Sequence, residues 1–145
     1  IPMLREDLRK MFKPRHKRMI EHLRKVKPDL IVIMHSDGAV APLIDDFIEI
    51  GVDVYNPVQP NVHGSDPQEL KDNYGERISF FGGIDQQALL PSGDLKKIRA
   101  DIKERIRILG RNRGYLLAPA HILQPDVSGD TIEEMIKASI EFGSY

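Results

Sequence analysis

Seven residues of this 145-residue chain stand where a side chain or a bare backbone can meet a ligand: His35, Asp37, Gln59, Gly82, Gly83, Asp85 and His121. Each follows a short, mainly apolar run. Leu30 to Met34 empties into His35-Ser36-Asp37-Gly38, Val52 to Tyr55 into Asn56-Pro57-Val58-Gln59, Ile78 to Phe81 into Gly82-Gly83-Ile84-Asp85, and Tyr115 to Ala118 into Pro119-Ala120-His121. The chemistry on offer is that of imidazole and carboxylate, since a histidine can carry a proton near neutral pH or ligate a metal. His121, a polar ring between Ala120 and Ile122, has little structural reason to be there and is the foremost catalytic candidate. His35 is either a ligand or proton-transfer group or a histidine satisfied by a backbone carbonyl. Asp37 and Asp85 either face a substrate or bond the backbone of their own turns. Gln59 is neutral and suits substrate orientation. Gly82 and Gly83 permit unusual backbone angles or close approach of a ligand. His16 and His22 fall on an amphipathic helix and His63 in mid-loop, where catalysis is not expected.

The elements that must position these residues alternate regularly. Leu4 to Met11 is helix-compatible, and Pro14 suits the first turn of a helix over Arg15 to Val26, with Met19, Ile20, Leu23 and Val26 on one face. That helix carries a basic cluster, Lys13 and Arg15 to Arg18, whose plainer reading is a solvated face. Leu30 to Met34, apolar at every position, reads as a strand buried on both faces. Further helices are expected over Ala41 to Ile50, Gln68 to Tyr74 after a Ser65 or Asp66 start, Leu95 to Leu109 after Ser92-Gly93-Asp94, and onward from an Asp130-Thr131-Ile132-Glu133 capping box. Glycines at 51, 75, 110 and 143 stop them. The result is a helix followed by four strand-helix units, which predicts parallel strands joined right-handedly. An open doubly wound sheet and part of a (β/α)₈ barrel both fit. In either, ligands lie beyond the carboxyl ends of the strands, so the candidate residues share one rim.

Composition narrows the function further. The 41% apolar content suits a globular domain, and 21 basic against 22 acidic residues leave a net charge of −1 that points to no nucleic acid or membrane partner. The chain has no cysteine, which excludes disulfides, thiolate metal sites and cysteine nucleophiles and fits a reducing cytoplasm. No apolar run reaches the roughly 18 residues of a membrane span. No G-x-G-x-x-G follows a strand and no Walker A motif occurs, so dinucleotide and P-loop nucleotide sites are not expected.

Taken together, His35-Ser36-Asp37-Gly38, Gly51-Val52-Asp53-Val54 with Asn56-Pro57-Val58-Gln59, Tyr74-Gly75-Glu76-Arg77-Ile78 leading to Gly82-Gly83-Ile84-Asp85, and Gly114 to His121 resemble the uroporphyrinogen decarboxylase superfamily. The resemblance covers nearly the whole chain. It implies an α/β fold, the C-terminal half of a (β/α)₈ TIM barrel, with residues 1–145 a single partial domain of four parallel strand-helix units preceded by a helix. The start at Ile1 agrees with that expectation. Completion would come from a missing N-terminal half or a second copy of the chain.

Two activities follow from the resemblance. The decarboxylase branch removes carboxyl groups from the acetate side chains of a tetrapyrrole in porphyrin biosynthesis and needs no cofactor, the ring holding the released electrons once a carbon is protonated. In that branch a late histidine matches His121, while the arginine pair and the key aspartate belong to the half not present here. On this first reading His121 and His35 are catalytic, and Asp37, Gln59, Gly82, Gly83 and Asp85 bind substrate. The alternative branch comprises corrinoid-dependent methyltransferases, which bind zinc through His-x-Cys and a later cysteine and work with a corrinoid protein as partner. Here those motifs read His35-Ser36-Asp37 and Ala120-His121, so His35, Asp37 and His121 would be the metal set and thiol activation is not implied. A non-catalytic half-barrel partner is the third expectation.

Overall fold

The computed structural model describes residues 5–143; Ile1 and Leu4, on which expectations above rest, lie outside them. The N-terminal helical stretch runs through α1 (Arg5–Asp7), a π-helical segment (Leu8–Phe12) and α2 (Lys13–Val26), with Pro14 in the first turn as its missing N–H allows. After it, β1 (Ile33–His35), α3 (Ile44–Glu49), β2 (Val54–Val58), α4 (Pro67–Tyr74), β3 (Ser79–Ile84), α5 (Leu95–Leu109), β4 (Tyr115–Pro119) and α6 (Gly129–Phe142) alternate. The four strands form one sheet in the order β1-β2-β3-β4, every neighbouring pair parallel. This is the strand-helix repeat that the sequence predicts.

Side-chain caps fix the starts of the last three helices. Asp66 accepts from the Glu69 N–H at 2.9 Å and Asp94 from the Lys97 N–H at 3.1 Å, fixing the starts of α4 and α5. The last helix opens two residues earlier than expected: Ser128, not Asp130, is its cap and accepts from the Thr131 N–H. The segment expected as a helix from Ala41 begins as a 3₁₀ turn, Ala41–Leu43, and becomes α-helical at Ile44.

Helices cover one face of the sheet. Met34, Tyr55, Phe80 and Tyr115 are register partners along that face, and Tyr55 and Phe80 are fully buried against Ile20, Ile44, Phe47, Leu70 and Leu109. A second cluster joins Ile84, Ile98 and Ile102 to Ala138 beneath α5 and α6. The opposite face, carrying Ile33, His35, Asn56, Phe81, Leu116 and Ala118, has no covering layer among the described residues.

Two expectations about burial are corrected here. Leu30 to Met34 is not a strand buried on both faces: Ile31 and Ile33 are 67% and 50% exposed, because β1 has a single neighbour and its inner face is open. On α2 only Ile20 is buried, whereas Met19, Leu23 and Val26 lie exposed. Ile136 of α6 is exposed as well. Apolar side chains bare on the sheet's open face and on its helices are what half of a barrel presents. No helix among the described residues is long and apolar enough to cross a membrane.

Candidate active site

The carboxyl ends of the strands carry the candidate residues to one rim, as parallel α/β geometry requires. His35 is the last residue of β1 and the register partner of Asn56 in β2. The Ser36 N–H continues the ladder to the Asn56 carbonyl at 2.8 Å, and the Ala120 N–H reaches the Ile84 carbonyl at 2.9 Å just before His121. These two backbone bonds set the roots of the two histidines on opposite sides of β2 and β3. The rings nevertheless converge, with centroids 6.1 Å apart and planes at 67°.

Asp37 completes the group. Its Oδ2 lies 3.4 Å from His35 Nε2, and each of His35, Asp37 and His121 offers a ligand atom within 4.8 Å of the others. All three side chains are exposed. Side-chain bonds orient two of them. His35 Nδ1 lies 2.6 Å from Asn56 Oδ1, an acceptor, so a neutral ring that keeps this bond carries its proton on Nδ1, with Nε2 beside the Asp37 carboxylate. Gln59 Oε1 accepts from the Gly38 N–H at 2.9 Å and thereby holds the turn that bears Asp37. His121 differs: its Nδ1 accepts from the Ile122 N–H at 2.8 Å, so the ring must turn to free that nitrogen or present Nε2 without its proton.

Two cavities meet at His121 and Ile122. The larger, about 630 Å³, is polar, lined by Asp37 and Asp126 and by Gln59, Gln86, Gln87 and Gln124. No lysine or arginine is among its lining residues. The smaller, about 250 Å³, lies on the uncovered face of the sheet between His35, Asn56, Phe81, Ala118 and Pro119. The imidazole–carboxylate group thus stands where a polar chamber adjoins an apolar slot. Beneath the rim, Tyr55 is fully buried, and its hydroxyl has no hydrogen-bond partner; burial, with the Asp37 charge adding, pushes it up to about 12.

The other predicted residues have different roles. Asp85 accepts from the Gln87 and Ala88 N–H groups through Oδ1 and from Asn61 Nδ2 through Oδ2, and so ties two loops together. Gly82 and Gly83 lie within β3, not in the loop beyond it, and line neither cavity. Their positive φ values of 112° and 96° and their crowding explain the residue type: a Cβ on Gly83 would stand 2.7 Å from the Tyr115 hydroxyl, and one on Gly82 3.1 Å from the Val58 nitrogen. Asn56, Gln86, Gln124 and Asp126 are rim residues that the sequence reading did not single out. Asn56 was detectable in principle as the polar member of β2 level with His35, but only once the strand register is known.

Comparison with known proteins agrees with this architecture. One similar solved structure is a methyltransferase from Methanosarcina mazei, with a TM-score of 0.77 and 20% identity, the match covering 98% of this chain and 39% of that one. At that identity the likeness is one of fold, and this chain spans well under half the length of the neighbour. No curated protein matches the chain in sequence. The family model described as uroporphyrinogen decarboxylase (URO-D) matches residues 3–142, nearly the whole length, and the chain therefore belongs to the uroporphyrinogen decarboxylase family.

Proposed function

We propose that this chain forms the metal-binding half of a corrinoid-linked methyltransferase site that demethylates an oxygen or nitrogen methyl donor. The observation that carries the reading is the convergence of His35, Asp37 and His121 at one rim. Two imidazoles and a carboxylate, with positions open to solvent, are a donor set that catalytic zinc accepts. His35 is placed as a metal-bound imidazole would be, with Nδ1 against the Asn56 oxygen and Nε2 beside the Asp37 carboxylate that would share the metal. A divalent metal held there would draw electron density from the donor heteroatom and so ease its departure from the methyl group.

The surrounding residues would bind and orient the donor. The amides of Gln59, Gln86 and Gln124 can hydrogen-bond an uncharged polar group, while Asp37 and Asp126 would repel a substrate rich in carboxylates. The slot beside Phe81 suits the apolar part of a small donor. The methyltransferase fold neighbour supports the same reading at the level of fold.

A second reading is decarboxylation of tetrapyrrole acetate side chains, favoured by the family model and by His121 as a hydrogen-bonding or proton-transfer group. The two part on metal and on product. Purified protein loaded with zinc is expected to retain about one equivalent, measured by elemental analysis, with His35→Ala abolishing retention. Methyl transfer to a corrinoid protein is expected from the same preparation in its complete form. Protein that retains no zinc and releases carbon dioxide from a tetrapyrrole acid would replace the first reading with the second.

A further inference from the structure

We infer that Asn56 is a positioning residue that fixes the tautomer and the aim of His35; this rests on the proposed metal role of His35. Three contacts define its place. Asn56 is the register partner of His35, its carbonyl takes the Ser36 N–H at 2.8 Å, and its Oδ1 lies 2.6 Å from His35 Nδ1. Backbone and side chain therefore bracket the same histidine from one residue. With an oxygen acceptor at Nδ1, a neutral ring that keeps this bond carries its proton there, and Nε2, 3.4 Å from Asp37 Oδ2, is left unprotonated to share a cation with that carboxylate. Without Asn56 the exposed ring would sample both tautomers and several rotamers, and only a fraction would present Nε2 to a metal. A metal-bound histidine whose second nitrogen is so held typically binds about 10- to 100-fold more tightly than one without that partner.

The loop leaving β2 supplies a second device of the same kind. Gln59, three residues on, holds the Gly38 N–H and with it the turn carrying Asp37. Two of the three prospective ligands are thus oriented from β2 and its exit, while His121, whose ring accepts from the N–H of the next residue, is not.

Zinc titration of the purified protein, with cobalt absorption as a second readout, tests the inference. Asn56→Leu is expected to weaken zinc binding by about 10- to 100-fold, and Asn56→Asp, which keeps an oxygen acceptor, to restore it. Equal zinc affinity in wild type and Asn56→Leu would overturn the inference and leave the metal reading standing. Equal weakening in the Leu and Asp variants would also overturn it, since the acceptor would then not matter. A wild type that binds no zinc would sink both. Should Asn56→Leu fail to fold, the ¹⁵N shifts of the His35 ring in metal-free wild type decide: a protonated Nδ1 is expected, and a protonated Nε2 overturns the inference.

Discussion

The two ends of the sheet use polar side chains in opposite ways. At the amino-terminal end the Arg24 guanidinium donates to the Gly51 carbonyl and to Asp53, and Asp53 also accepts from the Val32 N–H at 2.7 Å. Nearby the buried Lys71 ammonium donates to the Arg113 carbonyl, in a turn where Asn112, Arg113 and Gly114 all have positive φ. Each cation there closes a gap between a helix and the start of a strand. At the carboxyl end His35, Asp37 and His121 join no helix to a strand: His35 bonds Asn56 on the adjacent strand, and all three face solvent with donor atoms available. If the proposed site holds, one fold keeps the helix-to-strand ties at one end and the reacting groups at the other, as barrels do when they vary their chemistry without losing stability.

The sharpest break of that comparison is substitution of the rim histidines in the complete enzyme. His121→Ala and His35→Ala are each expected to lower turnover by about 100-fold or more, the scale of losing a proton-transfer group or metal ligand. Unfolding free energy should shift by less than about 1 kcal/mol, since both side chains are exposed and each makes one short hydrogen bond. His22→Ala, on the exposed face of α2, is the control and should change neither. If the rim variants lost stability instead of activity, the division between the two ends would not hold.

Asp53→Ala attacks the opposite end. It removes the acceptor for Arg24 and for the Val32 N–H together, and a loss of about 2 kcal/mol is expected from urea unfolding. Zinc affinity should stay at the wild-type value. A fall in affinity with stability would mean that the bottom of the sheet sets the rim geometry, and the two regions would then be one.

How much of this was legible in the residues divides along the same line. The rim could be read because each apolar run stops abruptly at polar residues, and His35, Asp37 and His121 sit at those stops. The covering of the sheet could not. Ile31 and Ile33 are as apolar as Val32 and Met34, and a run apolar at every position looks the same whether its second face meets this chain or another. Asn56 escaped for a related reason: its level with His35 depends on register, which the order of residues does not state. Of the two uses the sequence offers Gly82 and Gly83, unusual backbone angles are what the structure shows, and the neighbours that crowd them, the Tyr115 hydroxyl and the Val58 nitrogen, come from adjacent strands brought close by pairing. Local stops were visible; facing partners were not.

Acid tests the flank that closes the first helix onto the body. Asp46, almost fully buried in α3, accepts from Arg9 and Lys13; burial pushes its carboxyl up, but the two cations outweigh burial and hold it below the ordinary value of 3.8. Below 3.8 the unfolded chain takes up the proton first, so stability falls with pH through the lowered folded value. The contribution is complete above that window. Urea midpoints are expected to drop between pH 5 and 2.5 in wild type, with Asp46→Asn removing about 1 kcal/mol of the dependence. A parallel fall in both proteins would show that this ion cluster does not secure the helix.

The smallest effect sits between the two regions, at Tyr55. Its ring fills the core beside Phe80, yet its hydroxyl is buried with no partner and feels the Asp37 charge from below the rim. A buried hydroxyl that gave up water without finding a protein partner costs free energy, and removing it while keeping the ring returns part of that cost. Tyr55→Phe is therefore expected to raise stability by up to about 1 kcal/mol, seen as a higher melting temperature. If zinc affinity and turnover stay unchanged, the core supports the rim by shape alone. A loss of either with the fold intact would instead make the hydroxyl part of the site, reaching Asp37 from beneath, and the boundary between holding and reacting would have to be drawn one layer deeper.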